Sequence, residues 1–296
     1  MTRKQALAQA RQLLAAKNIE DAPLEAELLL RHTLKINRAQ LYTDLNYELN
    51  PEQEKTYRQI IWRRLEDEPS AYITGHCEFY GLDIYVNHSV LIPRPESELL
   101  VEKAIKIVQN EHLATIADIG TGCGAIAISL AMNLPEARIY ATDISSAALE
   151  VARFNCQQHS VSNRIHLLPG DMLDPLPKPV DLIVANLPYV RESELDGTGV
   201  LSFEPELALN GGAEGLDKIF RLCYQLSNKL NKRGCLLLEI GQNQGKPVVD
   251  LLNNLLPAAQ IEITQDFNAL PRVVSLSLTP KVQNVTITTV LPEQAT

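Results

Sequence analysis

The run Asp118-Ile119-Gly120-Thr121-Gly122-Cys123-Gly124 constrains this chain more than any other feature. It joins a β-type segment at 115–119 to the helix-forming stretch AIAISLAMNL. Glycines at such a junction let the chain turn sharply and let a ligand approach the backbone closely. A strand–glycine loop–helix unit needs parallel neighbours, and the following sequence supplies them. Strands are predicted near 115–119, 138–142, 165–168, 180–186, 235–240, 260–265 and 272–278, with helices over 124–133, 145–158, 216–230 and 243–255. This alternation specifies an α/β fold with a seven-stranded, mostly parallel sheet covered on both faces. The last two strands lie too close for a helical crossover and are expected to form a terminal antiparallel hairpin.

Residues 1–75 follow a different pattern. Ala6, Leu7, Ala10, Leu13 and Leu14 recur at helical spacing, as do Leu24, Leu28, Leu29 and Leu34. Asn50-Pro51 supplies an N-cap and a proline at the first helical position for PEQEKTYRQIIWRRLEDE. In that helix Tyr57, Ile60, Ile61 and Leu65 share a face. Residues 76–87 alternate aromatic and β-branched residues about Gly81, which predicts a short hairpin. Pro93 and Pro95 then forbid a helix and hold a stiff, extended connector before a helix reaching about Val108. The expected organisation is an all-helical domain at 1–75, a β-hairpin linker at 76–92, a catalytic-type α/β domain at 93–280 and a polar tail at 281–296.

Charge narrows the partners. The net charge is −9, and because basic and acidic residues balance over 1–75, all of it falls in the remainder. That opposes a sequence-independent grip on a nucleic-acid backbone. Five scattered cysteines without a CxxC pair read as reduced thiols rather than a metal site or disulfide framework. No segment has the ~18 apolar residues of a membrane span, and the N-terminus lacks the apolar run of a secretory signal. A cytoplasmic monomer without membrane attachment is expected.

Two strand ends carry the chemistry. Asp143 closes the strand IYATD, where a carboxylate can accept both hydroxyls of a ribose. Nicotinamide and S-adenosylmethionine enzymes share that geometry. Here the spacing is GxGxG rather than GxGxxG, and Asp118 ends the first strand, where a cationic ligand is favoured over a pyrophosphate. Ser145 is the better N-cap for the next helix, which leaves Asp143 for a ligand. The fourth strand ends in Asn186-Leu187-Pro188-Tyr189, facing the same crevice. An Asn side-chain oxygen and the Leu187 carbonyl can accept the two hydrogens of a planar amino group, and the Tyr189 ring can lie against it. Such a pocket suits an amide, adenine or cytosine. Cys123 has no nearby His partner in sequence and reads as a small loop residue.

The sequence resembles the protein-(glutamine-N5) methyltransferases of the HemK/PrmC family. The resemblance spans nearly the whole chain through EPSAYITGHCEFYG (68–81), LIPRPESELLVE (91–102), DIGTGCGAIAISLA (118–131), ATDIS (141–145), GDML (170–173), ANLPYV (185–190), FEPELAL (203–209) and GGAEGL (211–216). It implies a Rossmann-like class I S-adenosylmethionine-dependent methyltransferase fold, plus a helical N-terminal domain that docks the substrate protein. By the same resemblance, Gly120, Thr121, Gly122, Cys123, Gly124, Asp143, Met172 and Asn186 would bind S-adenosyl-L-methionine. Asn186, Leu187, Pro188 and Tyr189 would hold the glutamine of the GGQ motif of peptide chain release factors.

Three departures stand out. The family usually has proline at position 187 and often an aromatic residue at 172, and the expected glycine turn near 266–272 reads DFNALPR. Asn268 is the residue there suited to a left-handed turn.

The implied reaction is methyl transfer to an amide nitrogen, releasing S-adenosyl-L-homocysteine, with positioning rather than a strong base or a metal supplying the rate. Two other readings stay open at this point. One is an exocyclic-amino methyltransferase acting on nucleic acid; the other is a non-catalytic nucleotide- or protein-binding module.

Overall fold

The computed structural model describes residues 1–195 and 202–278. The tail expected at 281–296 lies outside the described residues.

The N-terminal part contains helices α1 (Arg3–Ala16), α2 (Ala22–Leu34), α3 (Arg38–Thr43), α4 (Pro51–Leu65) and α5 (Ser70–Thr74). Asn50 accepts the Gln53 N–H at 2.8 Å, and the Gln53 side chain accepts the Asn50 N–H in return. The N-cap expected at Asn50 is therefore present, and Gln53 completes it as a capping box. Leu7, Leu14, Leu29, Leu30, Leu41 and Tyr57 form a separate apolar core. The second helix is turned differently from its leucine spacing: Leu24 and Leu28 face outward, and Ala22, Ala26, Leu29 and Leu30 face the core. The reason is Glu27, which is buried and ion-paired to Arg38 at 3.0 Å, with the Tyr42 hydroxyl donating to its other oxygen at 2.9 Å. A paired carboxylate thereby occupies ground that a pure leucine stripe would fill. Helix α5 joins two cores, since Ile73 packs with the helices and Tyr72 with the sheet.

Strands β1 (His76–Phe79) and β2 (Leu82–Tyr85) form the expected hairpin. Tyr80 and Gly81 both have positive φ, the geometry of a tight two-residue turn whose twist matches its strands. Asn155 fastens the hairpin to the glycine loop: its side chain exchanges hydrogen bonds of 2.9 Å with the Tyr85 backbone and donates to the Cys123 carbonyl at 2.9 Å. The connector is extended through Arg94. Pro95–Ser97, however, forms a 3₁₀ turn where extended chain was expected, because a proline already at helical φ can open a helical turn. Buried Glu204 pins this connector by accepting the Ile92 N–H at 3.0 Å and pairing with Arg94.

The sheet order is β5-β4-β3-β6-β7-β9-β8. Its strands are β3 (Thr115–Ile119), β4 (Arg138–Asp143), β5 (Ile165–Pro169), β6 (Val180–Ala185), β7 (Leu230–Glu239), β8 (Gln260–Gln265) and β9 (Pro271–Ser277). All neighbours run parallel except β9, which pairs antiparallel with both β7 and β8. Helices α6 (Glu98–Glu111), α7 (Ala125–Asn133), α8 (Ser146–Gln158), α10 (Asp217–Gln225) and α11 (Gly245–Leu255) accompany it, with the short α9 (Glu206–Leu209) over one end.

Two boundaries differ from expectation. The helix expected over 216–230 ends at Gln225 in a short 3₁₀ turn, and β7 starts at Leu230, five residues before the expected 235. Asn231, Lys232 and Arg233 conceal the strand in the sequence, because that end of it is polar and only its apolar C-terminal half is fully buried. In the β8–β9 loop the left-handed residue is Ala269 rather than Asn268. Asp266 imposes this by accepting the Asn268 N–H at 2.9 Å and the Leu270 N–H at 3.1 Å while it pairs with Arg272.

Sheet order reverses between β3 and β6, so their carboxyl ends open a crevice. Every candidate residue identified around Asp143 and Asn186 lies along it or immediately behind it.

Candidate active site

A cleft of about 910 Å³, measured out to its open mouth, lies over the ends of β3, β4 and β6. Gly120, Gly122, Asp143, Met172, Asn186, Leu187 and Pro188 line it. Four other sequence-selected residues lie behind this wall. The Thr121 hydroxyl turns inward to Asp118 at 2.6 Å. Cys123 is buried, and that burial pushes its thiol up to about 12, which removes any nucleophilic thiolate at neutral pH. A Cβ on Gly124 would come within 3.2 Å of Ile128 and 3.3 Å of Ala152, so this glycine lets α8 approach α7. The Tyr189 ring is turned toward β7, where its hydroxyl donates to Glu239 at 3.2 Å.

The glycine loop is held by its immediate neighbours. The Gly120 and Thr121 N–H groups both donate to the Thr142 carbonyl at 2.9 Å. Gly120 has φ +69°, and a Cβ there would meet Leu187 Cδ2 at 3.2 Å. The Asp143 carboxylate accepts the Gly122 N–H on Oδ2 at 2.9 Å and the Ser145 N–H on Oδ1 at 2.8 Å. Each oxygen keeps further acceptor capacity for a ligand in the cleft. Burial raises the Asp143 carboxyl above its ordinary range, against the N–H donors that favour the charged form. Ser145 caps α8 through Ala148, as the sequence implies.

Asp118 is fully buried behind the loop. Its Oδ2 accepts from Thr121 and from the Ala127 N–H at 3.2 Å, while its Oδ1 has no partner among the described residues. Burial pushes this carboxyl up to about 6. An orphan acceptor beside a glycine loop suits a cationic ligand group.

At the β6 end, the Leu187 side chain is buried against Gly120, so this residue fills a core position while the polypeptide crosses the cleft wall. The segment is braced by a second glycine loop. A Cβ on Gly211 would lie 2.8 Å from the Pro188 carbonyl, and one on Gly215 would lie 2.2 Å from the Tyr189 carbonyl. Gln244 clamps both strands of this contact by donating to the Tyr189 and Gly215 carbonyls at 3.0 Å. Asn186 Nδ2 donates to Ser97 Oγ at 2.8 Å, and Ser97 Oγ donates to Glu239 Oε2 at 2.6 Å. Sequence reasoning did not select Ser97 or Glu239. Only the position of Ser97 directly after the IPRPE connector hinted at it. Asp171 with its ion-pair partner Arg221, and Leu91 and Ile144, were likewise unselected and also line the cleft.

Comparison with known proteins adds a second line of observation. The PrmC N-terminal domain family matches residues 5–75, and the methyltransferase small domain family matches 95–203. The release factor glutamine methyltransferase of Moorella thermoacetica is 45% identical over 85% of this chain and 89% of its own length. The chain belongs to the release factor glutamine methyltransferase family. The corresponding protein of Koribacter versatilis is 38% identical over 93% of this chain and 98% of its own length. Among solved structures, the catalytic domain of hMettl16, crystallised with a MAT2A 3′UTR hairpin, has a TM-score of 0.58 at 18% identity, over 74% of this chain and 85% of that one. At that identity the likeness shows the class I methyltransferase fold. The family resemblance drawn from the motifs and the fold expected from strand–helix alternation therefore hold, and the protein is a methyltransferase.

Proposed function

We propose that this methyltransferase transfers a methyl group from S-adenosylmethionine to the N5 nitrogen of the glutamine in the GGQ motif of peptide chain release factors. The observation that carries this reading is the juxtaposition of Asp143 and Asn186 on one cleft at the β3–β6 switch point, in a chain with these relatives. S-adenosylmethionine supplies an electrophilic methyl on sulfur and leaves as S-adenosylhomocysteine. Gly120, Gly122, Asp143 and Met172 would hold it, with Asp143 accepting ribose hydroxyls and Asp118 supporting the loop from behind through Thr121 and Ala127. Thr121, Cys123 and Gly124 would contribute through the shape of the loop.

Asn186 Oδ1 and the Leu187 carbonyl would accept the two hydrogens of the substrate amide. An amide nitrogen is a weak nucleophile because its lone pair is delocalised, so orientation along the transfer axis is the main source of rate. Two acceptors also favour the positive charge that develops on that nitrogen. The proton departs afterwards from a strongly acidic N-alkylated amide. Pro188 removes a competing backbone donor beside the pocket, and Tyr189 fixes the segment through Glu239.

The division of labour follows the chain: residues 1–75 dock the release factor, 76–92 link, and 93–280 perform the transfer. A groove between α1 and α4 lined by Leu13, Tyr57, Ile61 and Trp62 supports the docking role, since Trp62 is 64% exposed. Among the described residues no helix is long and apolar enough to cross a membrane. The proposed setting is the cytoplasm, with the enzyme acting as a monomer.

The test is S-adenosylhomocysteine release in the presence of a release factor, with its Gln→Glu form as control. Turnover confined to the glutamine form is expected. Turnover on RNA or DNA instead would replace this reading with the nucleic-acid one.

A further inference from the structure

The side chain that would receive the substrate amide does not orient itself. Asn186 has an oxygen on one side and an NH₂ on the other, and the two present opposite chemistry to the cleft. A flip of about 180° would turn an acceptor for glutamine into a donor that repels it. Something must fix that choice.

The structure contains such a device. Glu239, at the end of β7, is 1% exposed, and Ser97, in the turn that opens α6, is 3% exposed. Glu239 accepts from the Ser97 hydroxyl on one oxygen and from the Tyr189 hydroxyl on the other. The Ser97 hydroxyl donates to Glu239 Oε2 at 2.6 Å, and that bond commits its one hydrogen. Ser97 Oγ can then only accept from Asn186, which must present Nδ2 to it and leave Oδ1 for the cleft. Burial raises the Glu239 carboxyl above its ordinary range and Glu96 adds to this, while the Ser97 and Tyr189 hydroxyls it accepts from and the positive charge of Arg272 favour the carboxylate.

We propose that Ser97 and Glu239 are positioning residues that fix the amide orientation of Asn186, and so set the enzyme's preference for a glutamine over a glutamate side chain. The proposal rests on the glutamine-methylation reading above. A glutamate carboxylate has no hydrogen to offer and would face two oxygen acceptors, Asn186 Oδ1 and the Leu187 carbonyl, with both left unpaired. If Asn186 were free to flip, its NH₂ would welcome that carboxylate.

The experiment compares wild type with Ser97→Ala and Glu239→Gln. Methylation of a release factor gives kcat and KM, and the Gln→Glu release factor serves as competitive inhibitor. Calorimetry on S-adenosylmethionine gives cofactor affinity. Both variants are expected to lose about tenfold or more in kcat, to bind cofactor within about twofold of wild type, and to narrow the glutamine-over-glutamate preference at least about tenfold. Glu239→Gln should narrow it more than Ser97→Ala. A glutamine amide can donate to Ser97, and the hydroxyl can then donate to Asn186 Oδ1, reversing the chain.

A fall in kcat with the preference unchanged would assign Ser97 and Glu239 a merely structural role and overturn the proposal, as would unchanged kcat. A wild-type enzyme that fails to methylate the glutamine form would instead overturn the underlying reading of the site. Glu239→Gln preserves side-chain shape, and Ser97→Ala removes a single oxygen, so each variant checks the other against loss of folding.

Discussion

The two halves of the cleft are stabilised over very different distances along the chain. Asp143, on the side assigned to the cofactor, is held by backbone N–H groups of Ser145 and Gly122, two and twenty-one residues away. Asn186, on the side assigned to the substrate, is held by Ser97, eighty-nine residues away, and Ser97 in turn by Glu239, one hundred and forty-two residues away. The first half is a local motif that any strand–loop–helix unit could carry. The second exists only when α6, β6 and β7 are all in place. A cofactor site common to many transferases can thus be built locally, whereas selectivity for one acceptor group is built from the assembled fold.

Substitutions can break or sharpen this contrast. The largest effect is expected at Asn186→Ala, which removes the substrate acceptor and leaves Asp143 and the glycine loop untouched. Single-turnover methylation should slow by ~10²–10³, the usual loss when one donor or acceptor of a charge-stabilising pair is removed. Cofactor affinity by calorimetry should stay within about tenfold. Wild-type turnover in this variant would remove the distinction between the two halves.

Asp143→Ala should do the converse and weaken cofactor binding by ~1.5–3 kcal/mol, the range for hydrogen bonds to a charged group. Unchanged affinity in a titration would show that Asp143 serves only the loop and Ser145. Next in size is Leu187→Pro, which restores the residue usual at this position. The enzyme should remain active, because the carbonyl is retained. Replacing a buried Leu side chain that packs on Gly120 should nevertheless cost about 1–2 kcal/mol in denaturant unfolding, less than a full Leu→Ala truncation. An inactive but folded and cofactor-binding variant would show that the pocket depends on more than that carbonyl. The smallest effect belongs to the local half. Ser145→Ala removes the cap of α8 and should lower stability by ~1 kcal/mol, with kcat for the release factor unchanged. A large loss of turnover there would mean that the loop end of the cleft also orients substrate.

What could be read from the sequence follows the same division. The glycine loop, Asp143, the Ser145 cap, the Asn50 N-cap and the β8–β9 hairpin were legible because each is fixed within a few residues or by a simple period of apolar side chains. The outward turn of Leu24 and Leu28 was not, because buried Glu27 finds Arg38 and Tyr42 on another helix. Nor was the start of β7 at Leu230, where polar residues continue a strand whose partner is β6. In the β8–β9 loop, composition pointed to Asn268, whereas the hydrogen bonds of Asp266 placed the left-handed turn one residue later.

The sequence by itself determined the order of the sheet strands and the longer helices, the glycine loop, and the presence of an Asn and a carboxylate at two strand ends. These depend on backbone conformation and periodicity, which neighbouring residues dictate. Only the tertiary structure decided that Thr121, Cys123, Gly124 and Tyr189 stand behind the cleft wall, and that Asn186 turns its NH₂ toward Ser97. Whether a side chain faces solvent, core or ligand, and which end of an amide it offers, depends on partners that only the folded sheet brings within hydrogen-bonding distance.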